Sequence, residues 1–325
     1  MTVSEDGYIE RDIPKISLKD SKNRREEIKS QLFDAAKTAG FFTLYEQDCP
    51  SKDDIEEMFL LSQKFFGLPL DKKTKTPHIK LLNSGFESCS QIRPSTGTAD
   101  QKESLQLQYH RINQNWPEEE DVGSEWRVKT QEFMEKCQKI SNFVMELFAE
   151  ALGYPSDFFT RAHDITKPTA QTTLRLLHYF DTTGKTFTGN HWRAGPHTDF
   201  DCLTLLFQKS GSHGLEVCPG RETHTDFGYS DKWTPVPAFT GEIVINIGDM
   251  LMSWSDDILK SNFHRVRLPL PGEDQSDRYT IAFFNQANTD VVIQGPLKKY
   301  PAVTGKEFIE EAMRKNFERL QMVSS

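Results

Sequence analysis

The feature that most limits the fold of this chain is a series of eight short β-prone segments between Thr172 and Gln294. Clusters of Gly, Pro, Asp and Ser separate the segments, and no helical pattern falls between them. Strands that succeed one another in this way are typical of an antiparallel barrel or a double-sheet jelly roll, and not of a parallel α/β sheet. In chain order the segments read TLRLLHYF, CLTLLFQ, GLEV, KWTPVPA, EIVINI, NFHRVRL, RYTIAFF and DVVIQ.

Helical patterns flank the β-prone region on both sides. Apolar residues that recur every three or four positions predict helices with one buried face. Ser or Thr stands where an N-terminal cap is expected in two of these segments, and Gly comes after three of them as a C-terminal stop. We predict helices near residues 20–39, from Ser51 to Gly67, over 125–152 and after Thr304.

These patterns predict a mainly β protein with flanking α: a distorted double-stranded β-helix (jelly-roll) core with a helical N-terminal region and a C-terminal helix. A length of 325 residues would by itself suggest about two domains. No Gly/Ser linker divides the chain, however, so one elaborated unit is the better interpretation. We expect 1–165 to form the helical N-terminal region, 166–295 the jelly-roll core, and 296–325 a C-terminal helix that packs on the core.

The charge of the chain argues against several partners. Lys and Arg total 39 and Asp and Glu total 48, so the net charge is −9 and a phosphate backbone would be repelled. No apolar run approaches the ~18 residues of a membrane span, and the first residues do not resemble a signal peptide. We expect a cytoplasmic protein that acts on a small molecule, has no nucleic-acid or membrane partner, and keeps its five cysteines as free thiols.

The strongest local signal for chemistry is His197-Thr198-Asp199. In an extended segment, residues i and i+2 point to the same side, so an imidazole and a carboxylate can reach one point. His264, in the β-prone run NFHRVRL, offers a third ligand. Two histidines and one carboxylate form the facial triad of non-haem Fe(II) oxygenases, which leaves coordination sites open for oxygen and a co-substrate.

The motif HTDF occurs twice, and the two copies differ in their surroundings. The first leads into the apolar run CLTLLFQ, whereas His224-Thr225-Asp226 lies in the polar stretch RETHTDFGYSD. Because metal ligands need rigid, buried support, we predict the first copy as the metal site and the second as a hairpin loop. Asp201 shares the parity of Asp199 and is a candidate acceptor beside the ligands. Six other histidines have no partner at ligand spacing and are expected to be structural or solvated: His78, His110, His163, His178, His191 and His213.

A possible anion clamp comes after the third ligand. Arg278 lies in the strand-like run after His264, and Thr280 shares its face of that run. Arginine grips a carboxylate with two hydrogen bonds and keeps its charge, and threonine adds a hydroxyl donor. An arginine at the end of a loop is more often a solvated charge. Its position one strand after a candidate iron ligand instead favours a clamp for the distal carboxylate of a molecule such as 2-oxoglutarate.

Alternation along the chain also suggests substrate contacts. If Tyr179 faces the metal, Arg175 and Leu177 share its face. Arg193 and His197 are likewise an even number of residues apart, so they point to the same side if the segment between them is extended. Two arginines near the iron would favour a substrate with electron-rich oxygens, such as an enolate, phenolate, imide or carboxylate. The alternative is that either arginine pairs with a nearby acid and never touches the substrate.

The motifs occur in an order that resembles the isopenicillin N synthase-like 2-oxoglutarate/Fe(II) dioxygenases. Within that family the chain is most similar to the fungal branch that includes thymine 7-hydroxylase and secondary-metabolite oxidases. The resemblance also suggests a tropolone-forming, ring-expanding dioxygenase as one relative. The stretches that carry the resemblance are IPKISL, AGFFTL, FFGLPLDKK, GFE, KES, WPEE, LRLLHY, RAGPHTDF, LTLLFQ, GLEV, VINIGDML, WSDDILKSNFHRV and RYTIAFF.

The resemblance implies roles for particular residues. His197, Asp199 and His264 match the iron ligands of the family. Arg278 matches its 2-oxoglutarate arginine, with Thr280 where many members have Ser, and Tyr179 matches a tyrosine that bonds the co-substrate. The implied cofactors are Fe(II), 2-oxoglutarate and O2. The chain departs from the family in the long loop RETHTDFGYSD and at Asp201, where close relatives often have a small residue.

The function implied is oxidation of an unactivated C–H bond in a small oxygenated aromatic or heterocyclic molecule, in secondary metabolism. Hydroxylation, with or without rearrangement such as ring expansion to a tropolone, is the expected outcome. Alternatives are a thymine-like nucleobase methyl hydroxylase and an iron oxidase of the same fold that does not use 2-oxoglutarate. A nucleic-acid demethylase is disfavoured by the acidic charge, and a metal-free binding module by the presence of all three ligands.

Overall fold

Two antiparallel sheets face each other in the computed structural model, which describes Ile9 and residues 11–93, 95–187, 191–222 and 232–324. The larger sheet has eight strands in the order β1-β2-β10-β7-β12-β5-β4-β3, and the smaller has four in the order β6-β11-β8-β9. Among the strand pairs that the structure describes in these two sheets, β1 with β2 is parallel and the others are antiparallel. The strands are β1 (Lys15–Ser17), β2 (Phe41–Tyr45), β3 (Gly85–Ser88), β4 (Lys102–Leu107), β5 (Thr173–Tyr179), β6 (Ala194–His197), β7 (Leu203–Gln208), β8 (Leu215–Glu222), β9 (Thr234–Pro235), β10 (Ile243–Ile247), β11 (Asn262–Val266), β12 (Arg278–Asn285), β13 (Val292–Ile293) and β14 (Val303–Thr304).

Each of the eight predicted β-prone segments contains a strand, and the predicted fold class is confirmed. The pattern missed β6, whose sequence AGPH has low strand propensity, and one short helix between β10 and β11. The helical N-terminal region also contributes β1 to β4 to the large sheet. Those strands are short and their segments lie among helices, so local alternation does not reveal them.

The helices cover the outer face of the large sheet. The predicted cap of α2 is present: the Ser51 side chain accepts a hydrogen bond from the Asp54 amide, and Asp54 accepts one from the Ser51 amide. α1 begins at Arg25, later than expected, after a turn in which Asp20 adopts a left-handed conformation with φ of 54°. The helices are α1 (Arg25–Thr38), α2 (Lys52–Phe66), α3 (Leu70–Lys73), α4 (Glu119–Val122), α5 (Trp126–Ala151), α6 (Asp249–Trp254) and α7 (Gly305–Ser324).

The two faces of the large sheet serve two different cores. Leu174 and Leu176 of β5 belong to the main core under the helices. Leu177 and Tyr179 instead belong to a smaller cluster between the two sheets, as the alternation of the sequence predicts. The interior of the jelly roll is therefore lined by every second residue of β5, β12 and β7, and polar residues placed there face a protected space.

Two further features bear on the sequence expectations. The five cysteines are free thiols. Among the described residues, no helix combines the length and the apolar character needed to cross a membrane.

Candidate active site

Strand pairing brings the three predicted ligands together. β6 and β11 are antiparallel neighbours, and His197 lies directly opposite His264 in their register. Asp199 lies two residues after the end of β6. Its Oδ1 is 3.7 Å from Nε2 of His197 and its Oδ2 is 3.7 Å from Nε2 of His264. One ligand atom from each of the three lies within 4.8 Å of the others, so this group could hold a metal ion.

Hydrogen bonds orient two of the three side chains. Nδ1 of His197 is 2.7 Å from the carbonyl oxygen of Gly195, so Nδ1 carries the hydrogen and Nε2 keeps its lone pair. Oδ2 of Asp199 accepts hydrogen bonds from the Thr204 hydroxyl and from Nδ2 of Asn246, at 2.7 and 2.9 Å. Partners of this kind hold a metal ligand in its productive orientation.

The electrostatics of the site suit a cation. Burial lowers the pKa of His197 well below its ordinary value and also lowers the pKa of His264, so both imidazoles are neutral near pH 7. Burial alone would raise the pKa of Asp199, but His264, His197, Asn246 and Thr204 outweigh it and lower that pKa to about 2. Neutral imidazoles and an ionised carboxylate are the forms that bind a divalent metal.

Asp201 lies just behind this group and is 1% exposed. Burial, followed by the nearby Asp199 and Asp249, raises the pKa of Asp201 well above its usual range. The Thr204 hydroxyl is 2.7 Å from Asp199 and 3.0 Å from Asp201, and it has only one proton to give. The shorter of these two contacts is the one to Asp199, and the hydroxyl lies between the two carboxylates. Asp201 therefore reaches the ligand through Thr204.

A second polar cluster lies at the Tyr179 end of the barrel. Arg278 is opposite Tyr179, and Thr280 is opposite Gln208. Nη2 of Arg278 donates to Oε1 of Gln208 at 2.7 Å, and the guanidinium lies 4.8 Å from the centre of the Tyr179 ring. Four further buried polar atoms have no partner among the described residues: Nε and Nη1 of Arg278, Oγ1 of Thr280 and Nε2 of Gln208. Buried groups that can donate hydrogen bonds but have no acceptor indicate a site for an anionic ligand.

Arg175 lies on the same strand, four residues before Tyr179 and therefore roughly 13 Å away. Its Nη2 donates to Oε1 of Gln106 at 2.6 Å, and its guanidinium is 5.2 Å from the centre of the Phe284 ring. Its Nε is buried and has no partner among the described residues. Burial lowers the pKa of Arg175, and the carboxylates of Glu87 and, more weakly, Asp199 oppose that shift.

Arg193 does not lie beside Arg175. It is 2% exposed, and its Nη2 donates to the carbonyl oxygen of Ser276 at 3.0 Å, two residues before Arg278. Burial and the neighbouring Arg278 lower the pKa of Arg193 to about 10. The structure thus groups Arg193 with the Arg278 cluster. The second HTDF copy, at His224, lies outside the described residues.

Sequence patterns missed a group of charged residues from the N-terminal region. Asp100, 2% exposed, bonds Arg93 at 3.1 Å, Lys102 at 2.8 Å and the backbone N–H of Gly195 at 2.9 Å. Arg93 also contributes to the lowered pKa values of both candidate histidine ligands. The stretch KES at Lys102 belongs to the family resemblance, but no local pattern marks Arg93.

A jelly roll that presents two histidines and a carboxylate in this geometry is the architecture of a non-haem iron oxygenase. Two family models match the chain. Residues 172–287 match the 2OG-Fe(II) oxygenase superfamily, and residues 13–126 match the non-haem dioxygenase in morphine synthesis N-terminal family.

Curated relatives and solved structures agree with these models. The 2-oxoglutarate-dependent dioxygenase caaD of Aspergillus niger is 30% identical, with 95% of this chain and 93% of that protein covered. The proline hydroxylase buaE of Petromyces alliaceus is 31% identical, covering 85% of this chain and 86% of that protein. A full-length Neurospora crassa protein in complex with alpha-KG (2-oxoglutarate) superposes with a TM-score of 0.79 and 27% identity, covering 96% of this chain and 98% of that one.

The chain belongs to the 2OG-Fe(II) oxygenase superfamily. It is therefore an oxidoreductase of a family that uses Fe(II), 2-oxoglutarate and O2.

Proposed function

We propose that this enzyme oxidises a C–H bond of a small oxygenated aromatic or heterocyclic molecule in fungal secondary metabolism, with His197, Asp199 and His264 holding Fe(II). The observation that carries the proposal is the convergence of these three side chains, from β6, β11 and the turn after β6, on one point. Bound Fe(II) would supply the oxidising chemistry: one atom of O2 would enter the C–H bond and the other the succinate formed, with CO2, from 2-oxoglutarate.

The cluster around Arg278 is proposed to hold the distal carboxylate of 2-oxoglutarate. Arg278 and Thr280 offer three buried atoms without partners among the described residues, and Tyr179 packs against the guanidinium. Gln208 orients Arg278 through its side-chain oxygen. Since the cluster is preformed, the co-substrate satisfies donors that would otherwise stay unpaired.

Arg175 is proposed to contact the substrate. It shares its face of β5 with Leu177 and Tyr179, which lie between the two sheets. Its guanidinium is 5.2 Å from the centre of the Phe284 ring, and one N–H has no partner among the described residues. A substrate oxygen with partial or full negative charge would complete that site, and the Phe284 ring would favour a planar molecule. Hydroxylation is the proposed outcome, and ring expansion to a tropolone is the proposed outcome for a substrate able to rearrange.

The metal and co-substrate assignments are tested by anaerobic titration of the protein with Fe(II) and 2-oxoglutarate. We expect a visible absorption band from the iron–2-oxoglutarate pair, lost in His197→Ala and kept in His224→Ala. His213→Ala is a matched control, because this side chain is 53% exposed. Loss of the band in His224→Ala with retention in His197→Ala would overturn the choice between the two HTDF copies.

One alternative substrate class has support from a relative. The Neurospora crassa protein has also been solved with alpha-KG and thymine, at a TM-score of 0.79 to this chain. Thymine is planar and carries two carbonyl oxygens, which suits Arg175 and Phe284. We therefore propose to screen thymine and oxygenated aromatics side by side. Binding of each compound is followed as a change in the visible absorption band of the iron–2-oxoglutarate pair. Succinate must appear with the oxidised product, and substrate consumption without succinate would favour an oxidase that does not use 2-oxoglutarate.

A further inference from the structure

The proposed co-substrate pocket contains a second arginine beside the expected one. Arg193 is 2% exposed and is held from two sides. Its Nη2 bonds the carbonyl oxygen of Ser276 at 3.0 Å, and the backbone of the preceding Trp192 accepts a hydrogen bond from the Gln101 amide at 3.0 Å. Turning the Arg193 side chain outward to solvent would break its hydrogen bond to Ser276.

The hydrogen bonds of Arg193 and Arg278 to described residues go to neutral oxygens, the Ser276 carbonyl and the Gln208 side-chain amide, and neither arginine has a carboxylate oxygen among these partners. The acids nearest to Arg193 have other partners. Asp277 accepts a hydrogen bond from the Asp181 amide at 2.9 Å and lies 2.9 Å from Nε2 of His178. Asp274 accepts one from the Ser276 amide at 2.9 Å. Acids therefore lie near Arg193, but none bonds its guanidinium directly, and a ligand that brings negative charge would stabilise both buried cations.

The free donors of the two arginines share one neighbourhood. Among the described residues, Nε of Arg193 is buried without a partner, as are Nε and Nη1 of Arg278. The Arg278 guanidinium lies 4.8 Å from the centre of the Tyr179 ring, and Arg193 bonds the Ser276 carbonyl two residues before Arg278. A carboxylate has about four lone-pair positions and can accept from two guanidinium groups at once.

We propose that Arg193 contributes a second positive charge to the co-substrate site, so that the enzyme selects 2-oxo acids with a distal carboxylate. The inference rests on the proposed function, because it requires 2-oxoglutarate to bind with its far end at Arg278. It assigns Arg193 to the co-substrate, in place of the substrate contact expected from its parity with His197, and leaves Arg175 as the substrate arginine.

The test compares two 2-oxo acids that differ in the distal carboxylate. Anaerobic Fe(II)-loaded protein is titrated with 2-oxoglutarate and with 2-oxobutyrate, and the visible absorption band gives the Kd of each without turnover. In Arg193→Gln we expect the Kd of 2-oxoglutarate to rise on the order of tenfold, the size of one lost charge-assisted hydrogen bond. The Kd of 2-oxobutyrate should stay within about twofold, since it presents no second carboxylate. Lys185→Gln removes one exposed charge from the nearby loop and should change neither value.

Each other result contradicts the inference. An equal rise for both acids in Arg193→Gln would mean that Arg193 only supports the local backbone. An unchanged Kd for 2-oxoglutarate, with a raised KM for the oxidised substrate, would mean that Arg193 contacts the substrate and not the co-substrate. If Arg193→Gln does not fold, Arg193→Lys keeps the charge but loses the fork of donors, and a shift of about threefold confined to 2-oxoglutarate is then required. Absence of the band in the unaltered protein would instead show that the proposed function itself is wrong.

Discussion

Two buried histidines in this protein have opposite surroundings. His178 is surrounded by charge: Nδ1 is 2.8 Å from Glu103 and Nε2 is 2.9 Å from Asp277. His163 is also buried, at 3% exposed, but among the described residues it has only the Phe159 carbonyl as a hydrogen-bond partner, at 2.8 Å. The sequence predicted both as structural or solvated, and it could not distinguish them because the partners of His178 are distant in the chain.

His163 should make stability depend on pH. Burial lowers its pKa to about 4 against the weaker, opposite effect of the Phe159 hydrogen bond. The unfolded chain, with a histidine pKa of about 6.5, therefore binds an extra proton between these values. The contribution of neutral His163 to the free energy of unfolding is complete above pH 6.5. It falls by roughly 3 kcal/mol as the pH drops through 4.

Urea unfolding at pH 7 and pH 4 measures this effect. The free energy of unfolding of the natural protein should fall more steeply than that of His163→Phe, which has no group to protonate. His213→Phe, altered at an exposed histidine, should behave like the natural protein. Parallel losses in the natural protein and His163→Phe would rule out His163 as the titrating group.

Glu103 should be important for stability because it neutralises a buried lysine. Both carboxylate oxygens lie 2.9 Å from Nζ of Lys73, and the two side chains are 4% and 10% exposed. Glu103→Gln leaves the ammonium group buried without a counter-ion and should lower the free energy of unfolding by about 3–5 kcal/mol, measured by urea denaturation. Glu57→Gln breaks an exposed pair with Lys129 and should change little. Equal losses in the two variants would contradict the argument.

At the level of elements, the site depends on how closely the turn after β6 approaches the start of α6. A Cβ added to Gly248 would lie 2.2 Å from the carbonyl oxygen of Asp201. The φ angle of Gly248 is −95°, which other residues adopt freely, so the constraint is the contact alone. A methyl group at position 248 would therefore push directly on the turn that carries Asp199.

Gly248→Ala should therefore weaken metal binding. Moving the turn displaces Asp199 from the two histidines, and the overpacking should cost about 1–3 kcal/mol of stability. Fe(II) affinity, measured by competition with a chelator, should fall in Gly248→Ala. Gly67→Ala serves as control, because its nearest atom would be 3.1 Å away and its position is remote from the site. Unchanged affinity in a folded Gly248→Ala protein would show that the turn tolerates the displacement.

Strand type and facing were predictable at this scale, whereas strand partners were not. Alternation within β5 correctly separates Leu176, under the helices, from Leu177, between the sheets. The pairing of β6 with β11 places His197 opposite His264, yet AGPH carries no strand signal of its own. The neighbour supplies the hydrogen bonds that make this segment a strand.

On the scale of the whole molecule, the first 165 residues complete the large sheet. β4 pairs with β5 and β2 pairs with β10, so two core strands have partners from the N-terminal region. Phe133 of α5 packs against Phe207 of β7 with ring centres 5.2 Å apart. We therefore propose that the segments 1–165, 166–295 and 296–325 form one cooperative unit.

A fragment of residues 166–325 should consequently fail to fold. It would expose the edges of β5 and β10 and the apolar face that α2 and α5 cover. We expect no cooperative thermal transition by circular dichroism. Deletion of residues 311–325 is the control, because Met313 and Phe317 there are each 61% exposed, and it should leave the transition nearly intact. A cooperative transition in the 166–325 fragment would contradict the proposal.

The sequence by itself determined the jelly-roll class, the inward faces of its strands and the order of His197, Asp199, His264 and Arg278 along the chain. These are local properties, because strand and helix periods act over a few residues. Only the tertiary structure decided that Arg193 joins Arg278 and that Asp100 ties Arg93 to the strand of His197. The contacts of Arg193 with Ser276 and of Asp100 with Gly195 join residues 83 and 95 positions apart, and no local pattern encodes which distant segments will pair.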